Sequence, residues 1–488
     1  MIKKIKNLLF IENQTVRATI FKNFTWLFLG NAGSRLFKSL IVIYAVRQLG
    51  AAGYGVFSYV LAFTSFFTFF KNIGVDYILT REVAKKPKEQ HNYFSTALGI
   101  EVILLIITAA LIIFIAPFFS GSGVKSAIIL FPLAALIFIF DDLRDLFVAF
   151  LRGKEKMELE ALVIVSGNIV LTFFGFVALY FWSTPKSFLI ANAAASFAGF
   201  LIAAFLLRPF ISGIVKNFTK NLVAPILKSA WPFAIGGLAG AFLFNLDIVM
   251  LGWWRTTAEI GLYSAAQKIV GILAIFSGFV ATATLPSLSR FAHSDKEKMK
   301  VVLNGALKVI FVIAIPSIIG GFILKDSLMG FIFGLSYVPA ANAFAILLFS
   351  ILAIHSLPIL TNALFAFDKQ IKMIRYALVS SLSNLTLNFL LIPKYGIEGA
   401  ATATTISFFI YIILLWRETK KLHEFNIVSE LLKPTTAALI MGFFAYFLKV
   451  LGVHVLANII ISGVFYFLCI YFLKEKILEE IFVVFRNK

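Results

Sequence analysis

One cysteine, Cys469, and five histidines are all the thiols and imidazoles this chain contains, and no His/Cys/Asp cluster has metal-ligand spacing. An internal disulfide and a Cys-based metal site are thereby excluded. Charge is also scarce, at 14% of residues against 60% hydrophobic, with a mean hydropathy of +0.94. An ordinary soluble chain of 488 residues carries far more polar surface. Gly-rich phosphate loops and Ser-His-Asp patterns placed on loops are missing too. Nothing points to a catalytic centre or a cofactor, so the chain is expected not to be an enzyme.

What is present is a series of about fourteen apolar stretches, most of them long enough to cross a hydrocarbon core of about 30 Å as a helix. They run over 25–46, 53–74, 94–119, 126–150, 161–182, 187–207, 231–254, 260–284, 301–324, 341–367, 376–391, 397–416, 435–451 and 456–473. The break after the eleventh is marked by Pro393, Gly396 and Gly399. Cys469 lies in the last stretch. The apolar run at 8–11 is too short for the core of a cleavable signal, so the first long span is expected to be retained.

Lys and Arg crowd every second gap. Arg81, Lys85, Lys86 and Lys88 share one, Arg152, Lys154 and Lys156 the next, and Arg208, Lys216, Lys220 and Lys228 another. The alternate gaps hold one cation each: Arg47, Lys125, Lys186, Arg255, Lys325, Lys394 and Lys449. Cations near helix ends stay on the cytoplasmic side during insertion, which predicts a multi-pass cell-membrane protein with both termini in the cytoplasm. The net charge of +20 sits mostly in these gaps, where topology and anionic lipid headgroups account for it, and no nucleic-acid partner is expected. The Lys/Arg-poor gaps are too short for a globular catalytic domain, which argues against membrane glycosyltransferases and polymerases.

The chain repeats internally. Ala52, Gly55 and Ser58 recur as Ala258, Gly261 and Ser264, with Phe57 answered by Tyr263. Lys156, Met157, Ala161, Leu162, Val163, Asn168, Leu171 and Phe173 recur as Lys372, Met373, Ala377, Leu378, Val379, Asn384, Leu387 and Phe389. The matches lie six spans apart, an even number, so the halves share one orientation as a parallel repeat. The expected fold is all-α: an N-terminal lobe of six helices over 1–208, a cytoplasmic linker over 209–229, a second six-helix lobe over 230–418, and two extra helices with a tail over 419–488. The tail at 477–485 reads as a short helix lying on the membrane face.

Polar groups within the spans are the candidate functional residues, because burying them in lipid is costly. The first span carries Asn31, Arg35 and Lys38 on one helical face, and the fourth carries Asp141, Asp142, Arg144 and Asp145. The seventh has Asn245 and Asp247, the eighth Tyr263, Gln267 and Lys268, the ninth Asn304 and Lys308, and the eleventh Asn384 and Asn388. The functional reading is a polar cavity lined by cations suited to phosphate, with Asn31, Arg35, Lys38, Asn245, Tyr263, Gln267, Lys268 and Lys308 as substrate contacts. Several of the polar residues have a plainer alternative. Arg35 and Lys38 could sit in structural ion pairs, while Lys268 and Lys308 could snorkel to an interface. Asn168 and Asn384 suit hydrogen bonds between helices, and His355 beside Pro358 suits packing. Asp141, Arg144, Asp145 and Asp247 are candidates for coupling or for ion pairs, with Asp141 three residues before Arg144 favouring an intrahelical pair.

Four segments, taken in order and spacing, resemble the polysaccharide (O-antigen repeat unit) flippases of the multidrug/oligosaccharidyl-lipid/polysaccharide exporter superfamily. They are residues 47–58, 245–252 with 260–268, 285–290, and 384–400. The resemblance implies two six-helix lobes that open alternately to either side of the membrane. It implies a polyprenyl-pyrophosphate-linked oligosaccharide as cargo, moved from the cytoplasmic to the outer leaflet. Expected partners are that lipid-linked oligosaccharide, membrane lipids, and a polysaccharide polymerase or glycosyltransferases. The first span lacks the carboxylate that drug exporters of the superfamily commonly carry there. A cation-coupled small-molecule exporter using Asp141, Asp145 and Asp247 is the alternative.

Overall fold

The computed structural model describes residues 16–67, 73–211, 213–422 and 428–473, and the tail at 477–485 lies outside them. These residues are helical almost throughout. Twelve helices among them are long and apolar enough to cross a membrane. The chain is a multi-pass membrane protein.

The helices are α1 (Val16–Ser65), α2 (Val75–Lys85), α3 (Pro87–Phe119), α4 (Phe131–Gly153), α5 (Met157–Phe181), α6 (Pro185–Leu206), α7 (Val223–Trp254), α8 (Thr257–Phe291), α9 (Lys296–Ile323), α10 (Ala341–Ala366), α11 (Gln370–Leu422), α12 (Val428–Val450) and α13 (Val455–Phe472). α1 and α11 each run through two of the apolar stretches read from the sequence, which accounts for twelve long helices against about fourteen stretches. Both break at a glycine with positive φ, Gly50 at 63° and Gly396 at 56°, a conformation that costs glycine little. The two arms of α11 fold back alongside one another: Ser380 Oγ donates to the Ser407 carbonyl at 2.6 Å, and Lys372 and Tyr376 both reach Glu418.

Short turns on the Lys/Arg-poor side are fixed by capping boxes. Thr184 and Ser187 satisfy each other's backbone at the start of α6, followed by Pro185 in the first turn, and Thr256 and Glu259 do the same at α8. Arg255, beside the second box, reaches the α11 break and donates to the carbonyls of Ile392 at 2.8 Å and Pro393 at 2.9 Å, groups that the kink releases from the helix. Gly399 completes this turn. A Cβ there would meet the Leu391 carbonyl, with its carbon only 2.7 Å away. Gly399→Ala is expected to cost about 2 kcal/mol or more and to lower the thermal unfolding midpoint of the detergent-solubilised protein. An unchanged midpoint counts against this tight approach.

The chain divides into two compact units, Met1–Ala241 and Phe242–Lys488, meeting within α7. The first unit has a core of Val75, Ile78, Phe94, Phe147, Phe150 and Ala203, where α2, α3, α4 and α6 converge. In the second, Leu303, Leu307, Ile310, Leu360, Leu364 and Leu415 form the core between α9, α10 and α11. α12 lies on α9 along Ala437, Ala438 and Met441, with Gly442 set against Ile319. α13 is fastened by polar bonds in an apolar setting: Asn458 donates to the Ala445 carbonyl and Tyr466 to that of Val312.

Candidate functional site

The repeat builds both units with the same device and then fills it differently. In the first unit, Asn168 on α5 donates to Ser34 Oγ on α1 at 2.6 Å, and Thr172 one turn later donates to the Phe37 carbonyl at 3.2 Å. Around this joint the packing is apolar. Ile41 presses against Gly175, and Phe57 meets Phe188 with ring centroids 4.6 Å apart.

In the second unit, Asn384 and Asn388 of α11 take the places of Asn168 and Thr172, and Asp247 of α7 stands where Ile41 stands in the first. Tyr263 replaces Phe57 and Thr404 replaces Phe188. The result is a closed polar cluster. Tyr263 donates to Asp247 Oδ2 at 2.6 Å, Asn388 Nδ2 donates to Oδ1 at 2.6 Å, and Thr404 donates to Oδ2 as well. Asn388 Nδ2 also reaches Asn384 Oδ1 at 2.9 Å. Asp247, Tyr263, Asn384 and Asn388 are fully buried. No described cation forms a salt bridge with Asp247, while Asn388 Oδ1 and Asn384 Nδ2 have no hydrogen-bond partner among the described residues. A carboxylate buried among neutral donors, beside an acceptor oxygen still open, is suited to exchanging a small positive charge.

The remaining candidates fall as follows. Arg35 and Lys38 are exposed from the first unit, on the part of α1 that precedes its buried residues Ile41, Val42 and Ala45, and neither has a partner among the described residues. The side chain of Asn31 lies outside the described residues. Asn245, Lys268 and Lys308 are half-buried in the second unit. Gln267 spends its amide on the Phe244 carbonyl at 3.0 Å. Tyr263, read from the sequence as a substrate contact, directs its hydroxyl at Asp247 and is closed from solvent.

Arg144 bridges Asp141 and Asp145 at 2.8 Å each, the intrahelical pairing that the spacing favours. Its aliphatic stem lies in the space that Gly199 leaves, since a Cβ there would come within 3.2 Å of Cδ. His355 is buried in α10. Sequence reasoning gives Thr404 no role and Arg255 only a place as the single cation of its gap. Thr404 sits among Thr402 and Thr405, and nothing in the spacing ties Arg255 to the α11 break.

Comparison with known proteins agrees with this architecture. The chain is 25% identical to the "probable low-salt glycan biosynthesis flippase Agl15" of Haloferax volcanii, over 91% of this chain and 93% of that protein. It is 25% identical to the capsular polysaccharide biosynthesis protein CapF of Staphylococcus aureus, over 80% of this chain and 97% of that one. Among solved structures it superposes on the lipid II flippase MurJ in an inward closed conformation, with a TM-score of 0.72 and 19% identity, covering 92% of this chain and 100% of the other. Residues 20–292, more than half of the chain, match the family described as polysaccharide biosynthesis protein, and the chain belongs to that family.

Proposed function

We propose that the chain is a flippase that moves a polyprenyl-pyrophosphate-linked oligosaccharide from the cytoplasmic to the outer leaflet of the cell membrane, for assembly of cell-surface polysaccharide. The observation that carries this reading is the pair Arg35 and Lys38, exposed on a membrane-spanning helix without partners among the described residues, in a chain of a polysaccharide-building family. A cation at that depth costs about 3 kcal/mol or more, a burden suited to an anionic ligand. A guanidinium and an ammonium three residues apart offer charge and several donors to pyrophosphate oxygens. Asn245, Gln267, Lys268 and Lys308 are the further contacts assigned to the cargo, and alternating access would expose them to each side in turn. The Lys/Arg-rich loops support a cytoplasmic position for both termini in this reading. No bond of the cargo is made or broken, and a polymerase or glycosyltransferases act before and after transfer. The Asp247 cluster is the coupling site in this reading, taking up and giving back a proton or a monovalent cation as its neighbours move.

Proteoliposomes containing the purified chain and a carrier lipid with a fluorescent oligosaccharide provide the test. Addition of a membrane-impermeant quencher is expected to remove the protected half of the signal at least about tenfold faster than in empty vesicles. Equal rates with and without protein, together with efflux of cationic dyes, would replace this reading with small-molecule export.

A further inference from the structure

Beyond the membrane-embedded cations, the first unit carries a flat aromatic surface on its Lys/Arg-rich side. Tyr77 of α2 and Phe233 of α7 stack nearly parallel, with centroids 4.8 Å apart and planes 14° from parallel. Both remain open on their outer sides, Tyr77 at 59% and Phe233 at 47% exposure. α2 is amphipathic. Val75, Ile78, Leu79 and Val83 are buried, while Tyr77 shares the outward face with Arg81, Ala84 and Lys85. Arg81 and Lys85, one and two turns beyond Tyr77, set the end of that face at the level of the membrane–water interface, where their charged ends reach water.

The platform is held firmly. Gly74 has a positive φ of 89°, and a Cβ there would come within 2.5 Å of Phe233 Cβ, so the turn into α2 is seated on the base of the partner ring. Thr80 donates to the Ala149 carbonyl of α4 at 3.0 Å, and Gly153 leaves room for Val83. Polar groups stand at the rim. Arg152 lies close enough for its charge to act on both Asp76 and Tyr77. Glu160 occupies its Nε and Nη2, while Nη1 makes no hydrogen bond to a described residue. The Tyr77 hydroxyl likewise has no partner among the described residues.

We propose that the outer face of Tyr77, backed by Phe233 and edged by Arg152, is a saccharide subsite that receives a hexose ring of the cargo's glycan. Sugar rings present a flat patch of C–H groups that packs on an aromatic face, while their hydroxyls need donors and acceptors at the edge. A stacked pair anchored on rigid elements supplies the face, and the guanidinium and phenol supply the edge. This inference rests on the flippase reading above for the identity of the glycan. It places a determinant of cargo choice in the first unit, apart from the groups assigned to pyrophosphate.

The experiment has a binding arm and a transfer arm. The glycan released by mild acid from the source cell's own carrier-lipid pool is titrated onto the detergent-solubilised full chain, read by saturation-transfer NMR. Wild type and Tyr77→Trp are expected to show transfer to ring C–H protons, while Tyr77→Ala and Tyr77→Leu lose it. In proteoliposomes, Tyr77→Ala is expected to raise the half-saturating concentration of full-length cargo about tenfold, while leaving a carrier bearing one sugar unaffected. Leu restoring wild-type behaviour would mean that Tyr77 is only an apolar interface anchor, and equal effects on both cargoes would mean a structural role; either overturns the subsite. Should wild type bind the glycan and move neither cargo, the flippase reading falls and the subsite stands.

Discussion

Arg35→Ala is expected to lower the initial rate of cargo transfer by at least about tenfold while leaving insertion and folding intact. The separation follows from where Arg35 sits. Its helix buries Ile41, Val42, Ala45 and Val46 further along, Arg35 itself is exposed, and no described carboxylate relies on the guanidinium. Removing it therefore orphans nothing, and exposed sites of that kind change stability by no more than about 0.5 kcal/mol. Its contribution, on this reading, appears only when pyrophosphate is present. Arg35→Lys keeps the charge and loses the planar fork, so it is expected to fall between wild type and Ala. Lys38→Ala should act in the same direction and combine with Arg35→Ala less than additively, because both groups would meet one anion. Quenching kinetics at matched protein content check all four. Wild-type rates in Arg35→Ala would take this residue out of the mechanism.

Much of the framework was legible because it rests on one-dimensional signals. Span length, apolarity and the alternation of Lys and Arg need no knowledge of contacts, and the Arg144–Asp141 pair follows from helical spacing alone. The repeated Asn168 and Asn384 were visible as polar residues in apolar spans; Asn168 does join two helices, whereas Asn384 bonds to Asn388 on its own arm of α11. What could not be read is whatever depends on three or more segments meeting. Asp247 draws donors from α8 and from both arms of α11, and Thr404 is one threonine among several until the fold selects it. Tyr263 shows the same limit from the other side: residue type suggests a substrate contact, and only the fold reveals that its hydroxyl donates to Asp247. The folding back of α11 rests on Gly396, Gly399 and the reach of Arg255, and the sequence shows only the breakers, not the group that satisfies the carbonyls they release.

Asp247→Asn is expected to keep the fold and to abolish acceleration of transfer by an imposed proton or sodium gradient, a loss of about tenfold or more, while slow downhill exchange persists. An amide at 247 can still accept from Tyr263 and Thr404. Its new donor would face Asn388 Nδ2, and turning the Asn388 and Asn384 amides over resolves this, using the Asn388 Oδ1 and Asn384 Nδ2 that now lack partners. Asp247→Ile is the informative contrast. It copies Ile41 of the first unit but removes the acceptor shared by Tyr263, Thr404 and Asn388, leaving the two hydroxyls only each other and Asn388 only Asn384, at about 1–3 kcal/mol for each donor that goes unmet, so it should unfold more readily. Adding Tyr263→Phe, Asn388→Thr and Thr404→Phe rebuilds the first unit's apolar joint in the second and should recover much of that stability. If the cluster were merely structural, the fourfold variant would respond to gradients as wild type does. If it is the coupling site, the rebuilt joint folds and stays deaf to them. Because the first unit demonstrates that the same helical junction holds together without a carboxylate, a buried Asp247 calls for a functional account, and the gradient response of the fourfold variant decides whether coupling is that account.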